Sequence, residues 1–259
     1  MPLTQTLLYY VPTIPLGIII ISVSVAISVA GLVIVRKFVP HQKLKLHNDV
    51  AGSIFETLGM AYMVLMAFIV VVVWQDFDKS TLHVQQEANT LVDLHRDAAA
   101  LPQSFRDAIY PLMKDYADVV VNEEWKMLAR GEESINARNV LRKIWTVYSG
   151  YEPKTESEKI FFAESVMRLN ELRELRRFRI IDSRTGVEPV LWFILIVGGA
   201  VTIVFTFFFG SENFLAHVLM ASTLAVMISL ILFTILLLDF PFTGDVKISS
   251  DIFRQMINF

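Results

Sequence analysis

Five histidines, two pairs of adjacent glutamates and a run of arginines are the side chains here with chemistry to offer, and their spacing argues against most of it. His41, His47, His83, His95 and His217 are scattered. No two stand at i, i+4, the spacing that sets two imidazoles on one helix face around a metal. Glu123-Glu124 and Glu132-Glu133 are neighbours in sequence, so on a helix each pair splays to different faces and reads as solvated charge. Arg173, Arg176, Arg177, Arg179 and Arg184 are interleaved with Glu171, Glu174 and Asp182. That is the pattern of a salt-bridged helix beside a membrane, and it leaves open a site for an anion or lipid headgroups. Cysteine is absent, which removes thiolate ligands, disulfides and a cysteine nucleophile. There is no GxxxxGKS/T, no GxGxxG, no HExxH and no nucleophile beside a base, so the expectation is a protein that is not an enzyme and holds no metal or cofactor.

Two stretches carry more. From Thr57 to Ile69 small and large apolar side chains are mixed. A row such as Leu58, Tyr62 and Met66, with Ile69 beside it, would line a narrow hydrophobic constriction if several copies surrounded an axis, and such constrictions gate by dewetting. The alternative from spacing alone is that this face packs against neighbouring spans. The second stretch, Leu238 to Asp245, holds Pro241, Phe240, Phe242, Gly244 and the acids Asp239 and Asp245 in one turn. An aromatic turn leaving a membrane is expected to anchor the preceding span at the interface.

The elements that must position these residues follow from composition. Hydrophobic residues make up 54% of the chain, above the roughly 45–50% of soluble domains, and the excess sits in four blocks. Ile14–Val35, Ile54–Trp74, Val190–Phe209 and Phe214–Leu238 each supply the roughly 20 mostly apolar residues that a spanning helix needs. Met1 to Val11 has no Lys or Arg to serve as a signal-peptide n-region, so the first block is expected to be retained. Pro189 suits the first turn of the third span, and Gly198-Gly199 inside it suits close helix packing. A net charge of −3 gives no basic field for nucleic acid. The organisation read from this is residues 1–74 for the first two spans, 75–188 for an extramembrane helical domain, 189–238 for the last two spans and 239–259 for a tail.

An even number of spans puts both termini and the 75–188 region on one face. Charge is divided on which face that is. Arg36, Lys37, Lys43 and Lys45 favour a cytoplasmic short loop, whereas Lys79, the Arg173–Arg184 run and Lys247 favour a cytoplasmic helical domain. Within 75–188 everything reads as helix. The second span runs on to about Ala100, Pro102 opens the next helix, and Phe105, Ile109, Leu112, Met113, Tyr116, Val119 and Val120 form one apolar stripe. Gly131 ends that helix, Ser134 caps the next, and Thr155 with Glu158 forms a capping box.

The tail, Asp239-Phe240-Pro241-Phe242-Thr243-Gly244-Asp245, resembles the acidic-x-Pro-Phe-Gly segment that follows the last membrane helix of bestrophin channels. The second span followed by Trp74-Gln75-Asp76-Phe77, Glu87-Ala88 and Leu94-His95-Arg96-Asp97-Ala98 is similar to the bestrophin pore helix and its continuation. The pattern His47-Asn48-Asp49-x-Ala51-Gly52, Tyr62-x-Val64-Leu65-x-Ala67-Phe68, Glu124-Trp125 and Pro-Phe-x-Gly looks like a bestrophin-like bacterial family long catalogued as a domain of unknown function. The resemblance implies a homo-oligomeric ion channel, a pentamer as in bestrophins, that passes inorganic ions and sits among membrane lipid in the inner (plasma) membrane. It also implies a hydrophobic neck lined by the second span, a vestibule formed by the helical domain, and cytoplasmic termini. Asp239, Asp245 and Asp251 are too spread to form the calcium clasp of animal bestrophins. The alternative function is a non-channel membrane sensor or assembly protein whose helical domain binds a partner. A secondary transporter is a poorer fit, because Glu56 and His217 are the only ionisable groups in the spans and both lie near ends.

Overall fold

A computed structural model describes residues 1–256, so the last three residues of the 239–259 tail lie outside the described residues. Helices in chain order are α1 (Leu3–Tyr10), α2 (Thr13–Phe38), α3 (His41–Lys45), α4 (Asn48–Ala98), α5 (Gln103–Val119), a π turn (Val120–Glu124), α6 (Trp125–Leu128), α7 (Ile135–Ser149), α8 (Glu156–Asp182), α9 (Pro189–Thr206), α10 (Phe214–Leu238) and α11 (Asp251–Met256). No strand occurs among the described residues. Four of these helices, α2, α4, α9 and α10, are long and apolar enough to cross a membrane. The chain is thus an all-α multi-pass membrane protein with a helical region inserted between its second and third spans.

Local chemistry sets the boundaries. α2 begins after Pro12 and ends on Arg36 and Lys37, cations that suit the negative end of a helix dipole. α4 is one helix of 51 residues; it contains no proline and no glycine beyond Gly59, so nothing breaks it until Ala98. Pro102 then stands at the N-cap of α5. Ser134 caps α7, its Oγ accepting from Ala137 N at 3.1 Å. Thr155 caps α8 in the same way from Glu158 N at 3.1 Å, and the Glu158 carboxylate reaches back to accept from Lys154 N at 2.8 Å.

The chain divides into two compact units. One comprises Val11–Gln75 and Val187–Asp239, the other Met1–Tyr10, Asp76–Gly186 and Phe240 onward. In the first, α2 packs along α10 and α9 along both, and Ser28 Oγ donates to Ala221 O at 3.4 Å. α4 joins them through Tyr62, whose ring lies over Gly198 and Gly199: a Cβ on Gly198 would fall 2.6 Å from Tyr62 Cε2. Gly198-Gly199 is the close-packing site that its sequence suggests.

In the second unit, Val84, Ala88, Leu91 and Leu94 of α4 meet Phe105, Ile109, Met113 and Tyr116 of α5. Ile144 and Tyr148 of α7 and Leu169 and Leu172 of α8 complete this core. The first ten residues belong here and not with the spans, in contrast to the 1–74 grouping read from sequence. The cause is Gln5, a buried carboxamide whose Nε2 donates to Ser183 O at 3.2 Å and to Thr243 Oγ1 at 3.3 Å. A lone glutamine in an apolar segment carries no sequence signal of such partners.

Candidate functional site

The second span has two faces. Tyr62 and Met66 are buried with Val73 against Leu195, Ile228 and Ile235, and Ile69 packs half-buried on the same cluster. The Tyr62 hydroxyl donates to Leu195 O at 2.7 Å, so the one polar atom in this contact is satisfied by a backbone carbonyl. Of the row Leu58, Tyr62, Met66 and Ile69 only Leu58 remains open, at 39% exposure. This corrects the expectation that the row faces a lumen: Met66, 1% exposed, is enclosed by its own chain. The opposite face is free. Met60, Val64, Phe68 and Val71 are all more than half exposed, and with 100° per residue Ser53, Thr57, Met60, Val64, Val71, Gln75 and Asp78 fall within one stripe. It is apolar in the middle and polar at both ends.

The tail motif is buried in the protein from Asp239 to Thr243. Asp239 is buried and gathers the ends of two spans: its carboxylate accepts from Val187 N at 2.5 Å and from Trp192 Nε1 at 3.3 Å. Pro241 O accepts from Ile248 N at 2.8 Å. Phe242 lies in the helical unit's core against Trp125, ring centroids 5.7 Å apart, and Trp125 Nε1 donates to Ile248 O at 3.1 Å. Gly244 turns the chain at φ 83°, a left-handed conformation that glycine adopts without penalty. Asp245 is exposed. Phe242 is a core residue because it shares a cluster with Trp125 and with Phe253 of α11, a feature of the fold and not of the motif; Phe240 is buried as well.

Between α4, α5, the π turn and α8 lies a buried charge cluster that sequence reading missed. Arg179 Nε donates to Glu87 Oε2 at 2.6 Å and Arg179 Nη2 to Glu124 Oε2 at 2.8 Å; Arg176 Nη2 donates to Glu124 Oε1 at 2.5 Å. Glu87, Glu124 and Arg179 have 0% side-chain exposure. Tyr116 donates to Glu87 Oε1 at 2.6 Å, and the Arg179 guanidinium lies 5.3 Å from the Trp125 ring. Glu124 was expected to be solvated; the π turn directs it inward, while Glu123 alone stays outside to accept from Ser134 Oγ and Asn136 Nδ2. Two acids and two bases neutralise one another here, so the cluster clamps four elements and offers no charge to a substrate.

Burial opposes the charge on Glu124, yet Arg179 and Arg176 outweigh it and hold the carboxyl below its ordinary value of 4.5. A lowered carboxyl contributes stability above 4.5 that is lost as pH falls through its lowered value. Helical signal in detergent is therefore expected to be flat from neutrality to that point and to fall below it. A Glu124→Gln variant with an unchanged acid limb would show that other carboxylates set the transition.

A model of the Bestrophin-like domain matches residues 22–253. The chain belongs to the bestrophin-like family. Solved structures agree in fold. A variant of the bacterial Bestrophin homolog from Klebsiella pneumoniae superposes with a TM-score of 0.73 at 13% identity, over 92% of this chain and 96% of that one. A second variant gives 0.69 at 13% identity, over 93% and 95%. The same homolog solved by Zn-SAD phasing gives 0.65 at 14%, over 92% and 95%. At such identities the likeness is one of fold. No curated protein matches the sequence. The bestrophin-like resemblance read from the tail and the second span is thus the family to which this chain belongs.

Proposed function

We propose that this bestrophin-like chain is one subunit of a homo-oligomeric ion channel, a pentamer as in bestrophins, whose hydrophobic neck is lined by the free face of α4. The supporting observation is the stripe of Met60, Val64, Phe68 and Val71, which its own chain leaves uncovered while Tyr62 and Met66 hold the helix in place from behind. Ring-wise repetition of that stripe produces an apolar constriction with Thr57 at one mouth and Gln75 and Asp78 at the other. A water column through such a constriction is interrupted unless it widens or becomes polar. The permeant species are inorganic ions, the surroundings are the lipid of the inner (plasma) membrane, and the helical region and both termini are cytoplasmic.

The test pairs the mass of the detergent-solubilised particle with ion flux in liposomes. A ring of about five copies that conducts supports the reading. A monomer or dimer that is tight to ions overturns it in favour of a sensor or assembly protein.

Within a conducting particle, Val64→Ser is expected to raise flux severalfold with little change in melting, since the added hydroxyl wets the constriction. Met66→Ala is expected to do the reverse, costing about 2–5 kcal/mol of stability by leaving a cavity and leaving single-channel conductance alone. Equal conductance in Val64→Ser and wild type would remove this face from the pore.

A further inference from the structure

Arg173 and Arg177 of α8 and Arg184, two residues past its end, carry guanidinium groups that make no ion pair among the described residues, and they share one groove. A cavity of about 520 Å³ in the helical unit is lined by Arg173, Arg176, Arg177 and Arg184 together with Asn170 and Glu174. Arg176 is committed to Glu124. Among the described residues, Arg173, Arg177 and Arg184 make no ion pair: Arg173 lies 5.9 Å from the Trp145 ring, Arg177 lies 5.8 Å from that of Phe178, and Arg184 Nε donates to Gly131 O at 2.7 Å. Glu133, the other acid of the lining, bonds Arg138.

Spacing makes this a site and not a scatter. Arg173 and Arg177 are four apart and Arg184 seven further on, so all three ride one face of the helix and its terminal turn, with Asn170 a turn before them. Like charges at i, i+4 repel, and a bound anion would relieve that. The guanidinium is a planar fork with parallel N–H groups, matched to two oxygens of one tetrahedral anion. The aromatic rings beside Arg173 and Arg177 restrict both forks without using their donors.

We infer that the groove formed by Asn170, Arg173, Arg177 and Arg184 binds an anionic phosphate group, from a lipid headgroup or from a free phosphate compound. Arg184 is five residues ahead of Pro189, where α9 begins, so the run leads directly into a membrane span.

The test uses the full-length protein and does not depend on ion flux, so failure of the channel reading leaves it standing. Inorganic pyrophosphate is titrated into detergent-solubilised wild type and into the Arg173→Gln/Arg177→Gln double variant by calorimetry. In parallel, native mass spectrometry counts the lipids retained from nanodiscs containing phosphatidylglycerol or phosphatidylcholine alone. Binding in either arm that weakens roughly tenfold or more in the double variant supports the site. The arm that responds identifies the source of the phosphate. Arg173→Lys/Arg177→Lys, which keeps the charge and loses the fork, is expected to fall between the two. Arg184→Gln is the second probe if the double variant does not fold. Equal binding in wild type and variants, or none in wild type, overturns the inference. Dissociation of the oligomer with pyrophosphate and lipid binding unchanged also overturns it and assigns the groove to contact between subunits.

Discussion

Arg179→Met is expected to lower stability by about 3–5 kcal/mol, the largest effect of any single substitution in the helical unit. The substitution leaves Glu87 and Glu124, both without solvent exposure, facing no cation within bonding distance except Arg176 on the Glu124 side. It also removes the guanidinium packed beside the Trp125 and Phe253 rings, so the α11 contact loosens with it. In detergent the melting midpoint is expected to drop by about 10 °C or more. The same change combined with Glu87→Gln and Glu124→Gln is expected to be milder than Arg179→Met alone, because the uncompensated charges disappear with their partner. A single variant that melts with wild type would show that the cluster is not a clamp.

The second large effect is expected in the membrane unit at Gly210, in the short connection between α9 and α10. Asn48 holds this glycine from both sides, donating from Nδ2 to its carbonyl at 3.0 Å and accepting from its amide at 2.9 Å. A Cβ there would stand 2.2 Å from Lys45 N and 2.6 Å from His41 O, both backbone atoms that no rotamer change can move. Gly210→Ala is thus expected to cost at least the roughly 1–3 kcal/mol typical of overpacking. Gly59→Ala is its control: a Cβ at Gly59 meets nothing within 4 Å, and alanine suits a helix interior better than glycine, so that variant is expected to melt at or slightly above wild type. If both alanines behave alike, the close approach at Gly210 is not what orders this connection.

What could be read from the sequence is what local chemistry controls. The four spans, the run of α4 to Ala98, the caps at Ser134 and Thr155 and the stripe of α5 each depend on residues within a turn or two of one another. What could not be read depends on direction in space. The second span is apolar on every side, because lipid and neighbouring helices both accept apolar groups, so a row at i, i+4 does not say which side is in. Tyr62 and Met66 look as suited to a lumen as Met60 and Val64 do. Only the Tyr62 hydroxyl hinted otherwise, since a phenol amid hydrocarbon needs an acceptor and finds one at Leu195. Glu124 was missed for a related reason: its partners lie 52 and 55 residues away on α8, and an adjacent acid pair gives no reason to bury one member. The arginine run was legible as charge, but the division between Arg176 and Arg179, which are committed, and Arg173, Arg177 and Arg184, which are not, is set by carboxylates distant in sequence, Glu87 and Glu124.

The wide turn at Val120–Glu124 also bears on how this chain tolerates change in length. A π turn accommodates about one residue more than an α turn of the same rise, so everything after it is about 100° out of phase with the helix before it. Deleting one residue between Val120 and Glu123 would restore the ordinary pitch and swing Glu124 away from both arginines. Trp125 would lose the angle at which it meets Phe242. A deletion of this kind would spare every side chain that makes an ion pair and still dismantle the clamp, so in this segment the count of residues carries as much information as their identity.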